Sequence, residues 1–312
     1  MNVTFRTFDI KISSGDPRRT DKFYYNGRQQ VTLVINIIKQ VDGVDTPLTE
    51  DEKESVTLAS KKHPKTPLSS PWFCDKVKNQ YDEGIRGEVI NSNTINENKS
   101  KQGDTNPETI YRYFRAEASD KMELVATVTI NGKIYSSSTQ DDKVVTILPR
   151  APYKVDHREL KLEQKIAYLN EFETRNYISI SFYSWGLPDS LYIKEYKVLC
   201  FKYEAIPEGG IIGRNLPGED PARMSVMLKR DILDIPVKSL IRTENVPGGD
   251  TILHFPIKNN EFRATLGFCD NRVHHERKIN AGCMAEIVDN FGCRHTFLVE
   301  TTNDFSSLYL VD

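Results

Sequence analysis

The chain has 312 residues, of which 38% are hydrophobic and 28% charged, and its formal net charge is −2. That is enough apolar material for packed cores and too little for a bundle of membrane spans, and at roughly 100–200 residues per domain it implies two domains. The near-neutral balance excludes the overall basic field that draws a protein onto nucleic acid or anionic lipid.

The N-terminus, Met1 to Arg6, alternates polar and apolar residues and lacks the basic and apolar regions of a classical signal peptide. A cytoplasmic location in the producing cell is expected, with any assembly or release following a non-classical route. Val31 to Lys39 reads as a strand. Thr49 to Ser55 reads as a short helix, because Thr49-Glu50-Asp51-Glu52 is a capping box. The polar stretch Asn91 to Asp104 cannot repay its ordering entropy by burial and is expected to be an exposed insert near 91–107. Thr109 to Ala118 is a second strand. Leu124 to Ile130, Asn131-Gly132 and Lys133 to Tyr135 form a hairpin, since Asn-Gly supplies the positive φ angles of a type I′ turn. After a strand at Lys143 to Leu148, the prolines of Leu148-Pro149-Arg150-Ala151-Pro152-Tyr153 mark a boundary. The domains are expected at 1–149 and 150–312.

In the second half, Leu160 to Phe172 forms a helix-like window that also fits a strand and loop. Strands are expected at Asn176 to Tyr183, Leu191 to Tyr203, Phe262 to Phe268, Cys283 to Asp289 and Cys293 to Thr301, the last two joined by Asp289-Asn290-Phe291-Gly292. Gly209-Gly210-Ile211-Ile212-Gly213-Arg214 resembles a phosphate loop only superficially, because the Pro-rich residues after it cannot start a helix; a flexible surface loop is expected. The fold class is all-β, with two antiparallel β-sandwich (immunoglobulin-like) domains in tandem.

The strand from Tyr25-Asn26-Gly27 to Ile35, the connection Asp42-Gly43-Val44-Asp45-Thr46-Pro47-Leu48, the return strand Ser55-Val56-Thr57-Leu58 and the Asn131-Gly132 hairpin resemble bacterial immunoglobulin-like domains of the invasin type over residues 20–148. The resemblance implies a spacer, adhesion or assembly module without catalytic residues.

The five cysteines are odd in number and form no close CxxC pair, so no disulfide framework is expected and a reducing compartment fits. A Cys283–Cys293 bridge is excluded in particular, because the two lie too far apart along the proposed hairpin. Cys269, His274, His275, Glu276, Cys283, Cys293 and His295 are zinc-ligand residue types, but their spacing matches no paired knuckle. Cys283 and Cys293 therefore read as packing residues and His274-His275-Glu276-Arg277-Lys278 as a solvated loop. No nucleophile elbow, phosphate loop, dinucleotide fingerprint, zinc-protease or calcium-loop motif is present, so no catalytic, cofactor or metal residue is assigned. Contact surfaces are expected at aromatics: Trp185, placed at a strand end where its ring would be partly exposed, and Trp72 with Phe73. The expected function is a non-enzymatic, bacterial structural or interaction protein that pairs with itself or another protein. An exported adhesin, lectin-like or toxin-component protein, with carbohydrate as a further ligand, is the alternative, ahead of a hydrolase using His274, His275 or His295.

Overall fold

The alternation that opens the chain continues into a strand, because residues two apart on an extended backbone share a face. In β1 (Val3–Ile12), Phe8, Ile10 and Ile12 turn inward. The computed structural model describes residues 2–88, 106–137, 143–172, 176–200, 209–216, 222–241, 247–269, 277–280 and 282–311, so residues 91–105 of the polar insert lie outside the described residues. The chain divides into two compact units, Met1–Pro152 with Phe291–Cys293, and Tyr153–Asn290 with Arg294–Asp312.

The first unit continues with β2 (Arg19–Thr20), β3 (Val31–Val41), β4 (Val44–Asp45), α1 (Glu50–Ser55), β5 (Thr57–Ser60), β6 (Trp72–Asp75), β7 (Glu108–Ala116), β8 (Met122–Ile130), β9 (Lys133–Ser136) and β10 (Val145–Ile147). Among the described residues these build two sheets, β1-β3-β7-β6 with β4 on β3, and β2-β10-β8-β5 with β9 on β8. The named strands pair antiparallel apart from the short β2–β10 ladder, which is parallel. Leu33, Ile35 and Ile37 of β3 meet Leu124, Ala126 and Val128 of β8 in one core. Phe114 lies in it, fully buried, with ring centroids 5.8 Å from Phe23 and 6.0 Å from Trp72. Asn131 and Gly132 adopt φ of 51° and 75°, the left-handed pair that a type I′ turn requires.

Helix α1 carries its predicted capping box: Thr49 accepts from the Glu52 amide while the Glu52 carboxylate accepts from the Thr49 amide. The same carboxylate takes the nearly buried Lys39 ammonium at 2.6 Å. At the other end, the Arg112 guanidinium donates to the carbonyl of Val56 and to that of Lys53, which also accepts the Val56 amide. Burial holds that guanidinium below its ordinary pKa.

In the second unit, β11 (Lys161–Phe172), β12 (Asn176–Gly186), β13 (Ile193–Cys200), β14 (Gly209–Leu216), β15 (Ala222–Leu228), β16 (Asp234–Pro236), α2 (Val237–Ile241), β17 (Ile252–His254), β18 (Glu261–Cys269), β19 (Arg277–Asn280), β20 (Cys283–Asp289), β21 (Arg294–Thr301) and β22 (Leu308–Val311) follow. Among the described residues the main sheets are β11-β12-β18-β15-β14-β19 and β13-β20-β21-β22, with β16-β17 as a small third. One face of the larger sheet buries Ile178, Ile180, Phe182 and Val226 against Ile235, Val237, Leu240 and Phe255. The other face buries Tyr183, Trp185 and Phe262, whose rings stack in a file that reaches Phe297 of β21. Arg263, 1% exposed, donates to the carbonyls of Phe255, Lys229 and Ile232 and so ties the irregular 229–232 segment to the sheet.

The all-β architecture is as read from the sequence; one open reading is settled and one expectation is corrected. Of the two readings open for Leu160 to Phe172, the helix-like one gives way to the strand: Lys161–Phe172 is the edge strand β11, in which Leu162, Ile166 and Leu169 imitate a helical i, i+4, i+7 stripe because of a bulge between Ile166 and Tyr168. Gly209 to Arg214 is no surface loop; it lies in β14, paired with both β15 and β19.

Truncating Phe114 to Ala leaves a cavity at the centre of the first core. The expected loss is about 3–5 kcal/mol of stability, with a smaller loss for Phe114→Leu, as measured by urea unfolding.

Candidate interaction surface

The Arg277-Lys278 end of the expected solvated loop lies in strand β19, paired with β14. His274, His275 and Glu276 lie outside the described residues, and among the described residues no group of three or more potential ligands converges. Cys283 is bonded to Cys200, its direct cross-strand partner on β13, which corrects the expectation that the chain forms no disulfide. The two cysteines are 83 residues apart in sequence, so only strand pairing brings them within reach. Gly210 makes room for the bridge: a Cβ there would stand 2.0 Å from Cys200 Sγ. Cys74, Cys269 and Cys293 are unbridged, and burial pushes the Cys74 thiol above its ordinary pKa. A cleft of about 720 Å³ opens beside the disulfide, rimmed by Lys197, Lys229, Arg230 and Asp231. Among the described residues its lining includes no histidine or unbridged cysteine.

His295 is fully buried in a structural arrangement. Its Nε2 lies 2.9 Å from Asp289 Oδ2, its Nδ1 accepts the Val155 amide at 3.1 Å, and Tyr153 donates its hydroxyl to the same carboxylate. With Nδ1 accepting, Nε2 is the nitrogen that faces Asp289, so the carboxylate gathers the ring and the Tyr153 hydroxyl. These bonds hold Tyr153 and Val155 to the β20–β21 hairpin.

The aromatic candidates divide. Trp185 is 3% exposed, stacked between Tyr183 and Phe262, so the exposed ring expected there is a core ring. The reason is that β12 runs on to Gly186, past the turn expected at Ser184, and the second sheet covers this part of its face. Trp72 is half-buried and packs on the first core through Phe114. Phe73 is half-buried beneath the Arg115 guanidinium, 4.0 Å from its ring centroid.

The exposed apolar surface gathers elsewhere, on the β11–β12 hairpin. Leu162 is 52% exposed, Ile166 66%, Leu169 54% and Tyr177 38%. Their cross-strand partners are Trp185, Ser181, Ser179 and Glu171, which places all four on one face of the sheet. That is the face whose inner part holds the Tyr183–Trp185–Phe262 file. Tyr177 stacks on Phe268 at 4.8 Å, and the Arg223 guanidinium lies 5.3 Å from the Phe268 ring, so the patch continues onto β18. Strand β11 ends the sheet: among the described residues it pairs only with β12, leaving its outward N–H and C=O groups for another strand. The flanking charges are paired within the unit, Lys161 with Asp189 at 2.8 Å and Glu163 with Lys258 at 2.9 Å. Sequence inspection missed this surface because its residues carry the wrong periodicity for a strand.

No protein-family model matches this chain, and no curated protein matches it. Among solved structures, the C-terminal domain of the Streptococcus pyogenes antigen I/II-family protein AspA is similar at 10% identity and a TM-score of 0.23, over 93% of this chain and 97% of that one. The collagen binding domain of Erysipelothrix rhusiopathiae surface protein RspB is similar at 11% identity and a TM-score of 0.17, over 98% and 92%. Likeness at this level carries no argument about what the present chain binds.

Two substitutions separate the buried constellation from the exposed surface. His295→Ala strands the Val155 amide and removes a donor from Asp289, and an unfolding measurement is expected to show a loss of about 2–3 kcal/mol. Ile166→Lys, at an exposed edge, is expected to change stability by no more than about 0.5 kcal/mol.

Proposed function

We propose that this chain is a non-enzymatic interaction protein that docks a protein partner on the outward face and open edge of the β11–β12 hairpin. The observation that carries the reading is the alignment of Leu162, Ile166 and Leu169, each more than half exposed, along a strand with no paired neighbour on its outer side among the described residues. Contiguous apolar surface of this kind is costly in water and marks association sites, and an unpaired edge adds main-chain hydrogen bonds that any extended partner can satisfy. A protein suits the surface better than a sugar, because aliphatic side chains dominate it while Trp72 and Trp185 are engaged in packing. The finer reading of the first unit as a bacterial immunoglobulin-like module rests on its Asp42-Gly43 and Asn131-Gly132 turns and its facing sheets, a framework suited to spacing and presentation. No helix among the described residues is long and apolar enough to cross a membrane.

A second reading, an exported adhesin-like binding protein, is favoured by the Cys200–Cys283 bond, since such bonds persist mainly in oxidising compartments. Alkylation of the chain in its producing cell, before lysis, distinguishes the two settings. Blocked thiols at positions 200 and 283 would remove the support for export.

The docking reading is tested by hydrogen exchange on the native particle taken from the producing cell, compared with the purified Ile166→Lys chain. Slowed exchange across residues 161–172 in the native particle is the expected result. Equal exchange there, with protection elsewhere, would place the partner on another surface and end the reading.

A further inference from the structure

We infer that the partner on this edge is a second copy of the chain, joined antiparallel along Leu162–Ile166 about a two-fold axis perpendicular to the sheet. The inference rests on the docking reading and names its occupant. Its basis is the sequence of the regular stretch before the bulge, Leu162-Glu163-Gln164-Lys165-Ile166, which is complementary to its own reverse. Set against itself, Leu162 opposes Ile166 of the second copy, Glu163 opposes Lys165 and Gln164 opposes Gln164. Leu162, Gln164 and Ile166 share one face, and Glu163 and Lys165 the other. The apolar strip therefore runs on across the axis while two symmetric ion pairs form on the reverse side. Opposite charges directly across an antiparallel pair stabilise it, and like charges oppose it.

Neighbouring registers are disfavoured by the same residues. A slip of one residue sets outward-pointing backbone groups against inward-pointing ones and breaks the ladder. The next allowed register in one direction opposes Lys165 to Lys165, and in the other it opposes Glu163 to Glu163 and Lys161 to Lys165. Beyond Ile166 the bulge ends regular pairing, so the stretch that can pair is also the stretch that is complementary. Lys258 already meets Glu163, with the two side chains 58% and 66% exposed, and that loose contact can be shared with Lys165 of the second copy. The two-fold arrangement is isologous and closes at two copies, which uses up the edge without opening a fibre.

Sedimentation of the purified chain across a concentration series tests the inference. A dimer is expected for the wild type. Glu163→Lys turns both ion pairs into Lys–Lys contacts and should weaken dimerisation at least about tenfold. The charge swap Glu163→Lys with Lys165→Glu recreates both pairs in reversed order and should restore the dimer, with circular dichroism showing every variant folded. Register is read separately: Gln164→Cys brings two copies of one position within disulfide distance and should cross-link under mild oxidation, whereas Glu171→Cys and the wild type should not. A monomeric wild type at high concentration, a dimer indifferent to Glu163→Lys, or a swap that fails to restore it would overturn self-pairing. If such a monomer still shows slowed exchange over 161–172 in the native particle, the docking reading stands with a different partner; if it does not, both fall.

Discussion

An open β-sheet must end, and the strand at its end leaves a row of amide and carbonyl groups without sheet partners. The described sheets mostly meet this constraint with short edges. Strands β5, β6, β19 and β22 have four residues each and β2 has two. Of the longer edge strands, β1 turns Phe8, Ile10 and Ile12 into the core and carries a bulge between Phe5 and Thr7, and the eight-residue β13 carries Lys194, Glu195 and Lys197 and a bulge between Ile193 and Glu195. Strand β11 is different, because it has twelve residues and turns its aliphatic side chains outward along half of its length. The proposed function follows from this unresolved edge more than from any chemical group.

The interior obeys the complementary constraint, that polar groups withdrawn from water must find partners. Arg112 and Arg263 do this for carbonyls at irregular backbone, in each case through one guanidinium serving several acceptors. Asp289 receives His295 and Tyr153, and Lys39 meets a carboxylate that also caps a helix. Buried histidine, cysteine and carboxylate are thus engaged in holding segments together. A constellation of catalytic residue types in sequence is no evidence of a site until burial and partners are known.

The bulge at Ala167 connects the fold to the proposed assembly. It shifts the alternation of β11 by one residue, so that Leu169 joins the face of Leu162 and Ile166. The same shift limits the flat part of the edge to a short complementary stretch, which gives the edge a preferred register in place of indiscriminate stickiness.

Much of this protein was legible in its sequence where local physics decides. Asn131-Gly132 selects a type I′ hairpin by its tolerance of positive φ, Thr49 and Glu52 cap a helix through contacts three residues apart, and Ile178, Ile180 and Phe182 alternate toward a core. Trp72 and Phe73 read as contact aromatics, but their half-burial on Phe114 and beneath Arg115 could not be read from the sequence. What only the tertiary structure decided depends on residues far apart in the chain. Trp185 is buried because Phe262 and Phe297 arrive from distant strands, Cys200 bonds Cys283 because β13 and β20 pair in that register, and Gly209-Gly210 is strand because Leu228 and Met227 of β15 pair with it. Strand β11 fitted both a helix-like window and a strand for the same reason: whether a Leu, Ile, Leu stripe belongs to a helix or to a bulged strand is settled by β12 alongside it, and local spacing is the same for both.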